Sequence, residues 1–174
     1  LVLVEADLSD SDLSGKDFSK SAMVRASFDG STLTETTFRA SALNDSTFVN
    51  ATLNDAVFSG CSLENARFDG ADLTGATLAK SALKGATFGG ARLVETDFSH
   101  SDLSGVSFDG RTLEGVIFDG ASLKGASLRG ATLRDVSFRH AAVKDASFEG
   151  ATMDKLTYAE LKGARADLGN VTVR

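Results

Sequence analysis

The chain has 174 residues, a net charge of −6 and 42% apolar content, enough to bury one sizeable core. The negative balance argues against non-specific attraction to nucleic acid or anionic lipid, and leaves basic proteins as the electrostatic partners. No apolar run approaches a membrane span, and a single Cys, Cys61, supports no disulfide framework, which fits a cytoplasmic location.

From its first residue the chain is written in five-residue phrases. The opening one is atypical: Leu1 stands where later phrases carry a small residue, and Val2 and Val4 would point outward. Because the chain starts at Leu1 rather than Met, this phrase reads as the start of the repeat packed against something upstream. The centres Leu3, Leu8, Leu13 and Phe18 then set a register that holds without insertion or deletion to Met153, giving 31 phrases in residues 1–155. Ala66-Arg67-Phe68-Asp69-Gly70 followed by Ala71-Asp72-Leu73-Thr74-Gly75 shows the pattern: a small residue, a polar residue, a large apolar centre and two turn-like residues.

A five-residue unit is too short to stand alone and must be one side of a coil. Apolar centres every five places would walk around a helix and alternate faces on a strand, so the chain must bend once per phrase, always the same way. The bend falls at the fifth place, where 14 of the 17 Gly sit and where a type II turn needs positive φ. Phrases that end in a charged residue, such as Asp45 or Lys80, are expected to use a turn that tolerates a side chain there. Lys16 and Arg111 put long cations at the inward small place. Either their stems lie along the core with the charge outside, or the wall bulges.

All twelve Phe are centres and fall on every second phrase, with Leu78 and Leu128 as the gaps and Tyr158 continuing the series. An even number of sides is needed to stack like on like. Two leave no interior and six leave a hole, whereas four give a 20-residue coil with two opposite Phe columns. One holds Phe18, Phe38, Phe58, Phe98, Phe118 and Phe138; the other holds Phe28, Phe48, Phe68, Phe88, Phe108 and Phe148.

The phrases Ala6-Asp7-Leu8-Ser9-Asp10 and Ala71-Asp72-Leu73-Thr74-Gly75 match A(D/N)LXX, and about nine tenths of the chain resembles the pentapeptide-repeat family. The resemblance implies an all-β solenoid, a right-handed quadrilateral β-helix of just under eight coils. At a strand-like spacing of ~4.8 Å the rod would be roughly 37 Å long.

The register fails after residue 155, and residues 156–174 read as a C-terminal cap. Asp154 to Gly163 has a helix's grammar, with Asp as the start, Gly as the stop, and Leu156 and Leu161 expected to cover the last coil. Ala166-Asp167-Leu168-Gly169-Asn170 makes one more phrase. With Leu168, Val171 and Val173 the tail offers a surface for a homodimer, or for burial against its own last coil.

Chemistry is sparse. His100 and His140 share a corner column two coils apart, ~10 Å, too far to share a zinc ion. Cys61 replaces Ala or Ser at a small inward place, and no stretch joins nucleophile, base and oxyanion donors. We expect no enzyme activity, metal or cofactor.

The surface is more informative. The Leu8 and Leu13 walls each net about −4, against −1 and about +1 for the Leu3 and Phe18 walls. Up to Gly75 the two acidic walls carry Asp7, Asp10, Asp12, Asp29, Glu35, Asp55, Asp69 and Asp72 against Arg67 alone. That is about one net charge per 2.6 Å of axis, compared with ~1.7 Å for duplex DNA. One branch of the family, the fluoroquinolone-resistance proteins of the Qnr group and their mycobacterial relatives, resembles B-form DNA and binds the DNA saddle of type II topoisomerases. The present chain resembles it in length, rod shape and cap, but lacks register-breaking loops and is acidic over only half its length. The expectation is a non-enzymatic protein-interaction scaffold or spacer, with mimicry of DNA at DNA gyrase as the alternative and no direct binding of nucleic acid or membrane.

Overall fold

The computed structural model describes residues 1–174. Residues twenty apart pair in parallel on four sides: Val2 with Ala22, Asp7 with Ser27, Asp12 with Thr32, Asp17 with Thr37, and so on along the chain. On the Leu13 wall the pairing lengthens into a five-stranded parallel sheet, β1 (Leu93–Val94), β2 (Thr112–Glu114), β3 (Thr132–Arg134), β4 (Thr152–Met153) and β5 (Thr172–Val173). No helix is long and apolar enough to cross a membrane.

The core follows from the phrase. Every Phe from Phe28 to Phe148 is at most 1% exposed. Within each column the rings stack with centroids 4.7 to 5.5 Å apart, and between columns they meet edge to face at 5.4 to 6.4 Å. The two opposite aromatic columns therefore close the middle of a four-sided coil, which is why Phe recurs on alternate phrases. Each such side chain contributes about 1.5–3 kcal/mol of burial.

Most corners are closed by a first-place N–H donating to the preceding centre's carbonyl, as from Ala6 to Leu3 (3.2 Å) and Ser46 to Leu43 (3.1 Å). The left-handed residue of this turn is the fifth place in every phrase from Glu5 to Gly150, whether or not it is Gly. The expectation of a more tolerant turn in phrases with a charged fifth residue is thus not met: Asp45 has φ 59° and Lys80 φ 60°. Stacking imposes this shape, because the fifth-place N–H must reach the next coil, as Asp45 does to Glu64 O at 2.9 Å. That bond and the coil above it offset a left-handed cost of about 1–2 kcal/mol.

Inward small places that carry a hydroxyl use it to bond the core backbone of the coil before. Ser41, Ser81 and Ser101 donate to the carbonyls of Phe18, Phe58 and Leu78, each at 2.7 Å. Cys61 belongs to the same column and donates to Phe38 O at 2.8 Å; burial pushes its thiol up to about 11.

Arg111 decides one of the open alternatives. It stands in a column of small residues, above Ala91 and below Ala131, and the ladder beneath it is open. The N–H groups of Gly85, Phe88 and Gly90 do not bond Ser104, Ser107 and Asp109 O, nor do those of Ser107 and Thr112 bond Ala86 and Ala91 O. All other rungs joining coils one to seven are made, including those at Val116, so a β-branched residue alone does not open the wall. The wall bulges at Arg111. At Lys16, in the first coil, the side chain is exposed and the rung above it, from Thr37 N–H to Lys16 O at 2.9 Å, is intact.

The C-terminal end is closed by α1 (Lys155–Gly163), with Asp154 as its N-cap. Leu161 is fully buried, as expected, but Leu156 is 67% exposed and does not cover the coil. The two are five residues apart, about 140° around a helix, so they cannot share a face. Thr157, four before Leu161, takes the inward position instead. Nor is Gly163 a left-handed stop: the helix runs through it to a C-cap at Ala164, and Arg165 carries the positive φ of 62°.

One face of α1 replaces a backbone coil with side chains. Asp154 Oδ2 accepts from Asp135 N–H (2.9 Å), the Thr157 hydroxyl, whose proton Asp154 Oδ2 shares, reaches Val136 O (3.1 Å), and Glu160 Oε2 accepts from Phe138 N–H (2.8 Å). Beyond the helix the twenty-residue register resumes, with Thr172 beside Thr152 and Val173 beside Met153.

Candidate functional site

The structure places all eight acids on the two adjoining walls and does not gather them into one pocket; Asp69 alone of the eight borders a cavity, with Gly89 and Arg111. Asp7, Asp10, Asp12, Glu35 and Asp55 are exposed, whereas Asp29, Asp69 and Asp72 are half-buried. No group of three or more His, Cys, Asp or Glu is placed to hold a metal ion. His100 lies over Gly120, the glycine one coil above it.

Five of the acids have bonding work within the rod. The fourth-place N–H is the one backbone donor that neither the turn nor the ladder uses, so a side chain must meet it. Asp7, Asp12 and Asp72 do so from two residues back, accepting from the N–H of Ser9 (3.1 Å), Ser14 (3.1 Å) and Thr74 (3.0 Å). Asp29 and Asp69 do so from the coil below, accepting from Val49 and Gly89 N–H at 2.8 Å each. Asp69 also accepts from Thr87 Oγ1 at 2.8 Å and pairs with Arg67 at 3.3 Å.

These bonds set the charge state. Hydrogen bonds from the Ser9 and Ser14 side chains, then from their N–H groups, hold Asp7 and Asp12 below the usual carboxylate range. At Asp72 partial burial pushes the pKa up, but the hydroxyl and N–H of Thr74, with Asn54 and the charge of Arg92, outweigh it and the net direction is down. The side chains of Asp10, Glu35 and Asp55 make no hydrogen bond; those of Asp10 and Asp55 lean over Gly30 and Gly75 of the next coil.

Profiles for pentapeptide repeats match residues 3–76 and 21–98, 81–120 and 108–165. The chain belongs to the pentapeptide-repeat family. No curated protein matches it. Among solved structures, two trypsin-treated forms of QnrB1, a plasmid-mediated fluoroquinolone resistance protein, superpose with TM-scores of 0.52 and 0.54. They are 23% and 22% identical, and the match covers 100% of this chain and 91% and 90% of theirs. HetL, from the cyanobacterium Nostoc sp. strain PCC 7120, is 22% identical over 88% of this chain and 89% of its own, with a TM-score of 0.30. The shared fold with QnrB1 is the right-handed quadrilateral β-helix, here with a short terminal helix.

The consensus of the pentapeptide-repeat phrase now has a physical account. Its polar second residue is in position to accept from the N–H two residues later, as Asp7, Asp12 and Asp72 do, and where a phrase of this chain carries Asp or Asn at the fourth place, as at Asp29, Asp69 and Asn44, that side chain serves the coil above. Neutral amides serve equally: Asn44 Oδ1 accepts from Glu64 N–H at 3.1 Å. Periodicity alone did not expose these roles; the recurrence of Asp-x-Ser and Asp-x-Thr was the available signal.

At the C-terminal end, Leu168 and Val171 are partly buried against the core of the same chain, while Val173, on β5, is 39% exposed.

Proposed function

We propose that this pentapeptide-repeat chain is a non-enzymatic scaffold that binds a protein with a basic surface through the acidic part of its Leu8 and Leu13 walls. The observation that carries the reading is the placement of eight acids against one Arg on two adjoining flat walls before Gly75. Farther along, Arg92, Arg111, Arg129, Arg134 and Lys155 offset the acids of the same walls. Side chains on flat walls diverge, an arrangement suited to many shallow charge contacts rather than to bond chemistry. Val173 and the open edge of β5 would be the surface for self-association, tested by sedimentation of a Val173→Asp variant.

The test uses a variant in which the seven Asp become Asn and Glu35 becomes Gln, so that every acceptor is kept and only charge is lost. On an array of Lys- and Arg-rich peptides, the wild-type chain should bind in a salt-sensitive way and the neutralised chain should not. Equal binding by both would refute the acidic-wall reading.

The charge spacing of the first half favours mimicry of DNA at a type II topoisomerase as a second reading. The wild-type chain should then inhibit gyrase supercoiling at low salt, in competition with DNA, and the neutralised variant should not. Absence of inhibition at tens of micromolar removes this reading and leaves the scaffold.

A further inference from the structure

The open wall beneath Arg111 is a feature that binding through the acidic half does not use. Five N–H groups and five carbonyls face one another across it without bonding, on the lower lip from Gly85 to Ala91 and the upper lip from Ser104 to Thr112. The lips enclose a cavity of about 380 Å³ lined by Asp69, Gly89, Ser107, Asp109 and Arg111 among others. Glycines 85, 89 and 90 below, and 105 and 110 above, leave the backbone bare.

At the same level the other three walls stay bonded, the missing Gly85 and Thr112 rungs lying at the two corners that flank the open wall. Leu83 N–H bonds Asp102 O at 2.9 Å, Glu95 bonds Glu114 O at 2.7 Å, and Phe98 bonds Ile117 O at 2.8 Å. The core also holds: Phe88 and Phe108 remain stacked with centroids 5.4 Å apart. A rod bonded on three walls and open on the fourth bends most easily about the wall opposite the opening, here the Phe18 wall.

We propose that this wall is a water-bridged joint, wedged by Arg111, at which the rod flexes and first opens. Backbone groups of this kind must be met by something, and a cavity of this size, edged by unbonded N–H and carbonyl groups, has room for several bridging waters. Arg111 is the wedge because its side chain lines the cavity, replaces a small residue, and stands directly above the missing rung between Ala91 and Thr112. The acidic stretch ends at Gly75, before the joint, so bending there would swing it relative to the cap without disturbing its own coils.

Amide hydrogen exchange on the full chain tests this with an internal control. Gly85, Phe88, Gly90, Ser107 and Thr112 should exchange at least about tenfold faster than Asn65, Phe68, Gly70, Thr87 and Arg92, their bonded counterparts one coil earlier. Arg111→Ala, and independently Arg111→Ser, should slow the five amides toward the rates of those counterparts, because Ala and Ser are the residues this column carries elsewhere. Equal protection of the two sets in the wild-type chain would overturn the joint. Fast exchange that persists in both folded variants would overturn the wedge and with it the proposal.

Discussion

Truncating Asp154 should unfasten the C-terminal end, because one carboxylate there holds four donors. Oδ1 accepts from the N–H groups of Leu156 and Thr157, both at 2.9 Å, and Oδ2 accepts from Asp135 N–H at 2.9 Å and the Thr157 hydroxyl at 2.8 Å. Losing the N-cap costs about 1 kcal/mol. Stranding the Asp135 N–H adds about 1–3 kcal/mol, so Asp154→Ala should cost about 2–4 kcal/mol. In a solenoid each coil rests only on its neighbours, so the loss should fall on α1 and the last coils rather than on the whole rod. The pH dependence has a definite sign. Partial burial raises the Asp154 pKa, but its four hydrogen bonds outweigh this and leave it below 3.8, the ordinary value. Its contribution is therefore complete above about pH 4 and is lost as pH falls through the lower, folded value. Exchange of the Asp135 and Phe138 amides, followed with far-UV circular dichroism at pH 7 and pH 3, reads both effects. If Asp154→Ala leaves those amides protected and the unfolding midpoint unchanged to within about 0.5 kcal/mol, the substitution of side chains for a coil is wrong.

The neighbouring helix positions should separate sharply: Leu161→Ala should cost about 2–5 kcal/mol by leaving a cavity over the last coil. Leu156→Asp should change stability by less than about 0.5 kcal/mol in a urea titration. Cys61 should resist thiol reagents at pH 8 in the native rod and react only on unfolding; Cys61→Ser should melt like the wild type, since Ser41 and Ser81 make the same bond one coil away on either side. Rapid native labelling would contradict the burial.

The sequence disclosed most of what stacking alone determines. Phe on alternate phrases fixed four sides, and the observed face-to-face columns and edge-to-face crossings are what that count requires. Glycine marked the corners correctly but misled about the others, because the fifth-place conformation is imposed by the next coil's carbonyl and not by the residue that occupies it. The cap shows a different limit. The start at Asp154 was legible, and a helical phase drawn from it would have turned Leu156 outward. The role of Glu160 was not legible, since its partner Phe138 N–H becomes free only where a coil is replaced by a helix. At Arg111 the letter announced a conflict, and only the ladder showed that the wall yields.

The acidic walls raise the question of whether their charge is anything more than a by-product of the fold. Five of the eight acids satisfy fourth-place N–H groups, so an acceptor at those places is structural. The negative charge is not, because Asn44 meets the same need with a neutral amide on the Leu3 wall. The side chains of Asp10, Glu35 and Asp55 bond nothing, and all three residues occupy left-handed corners where Gly, present at most other corners of those walls, would remove the backbone cost; Glu35, with neither a bond nor the tolerance of Asp for that conformation, is the least explained by folding. The fold therefore requires acceptors at five positions and tolerates side chains at three, but it requires acid at none. Eight acids on two adjoining walls within the first four coils exceed what stacking asks for, so neutralising them to Asn and Gln should leave the rod folded, and any loss of binding in that variant would report on charge alone.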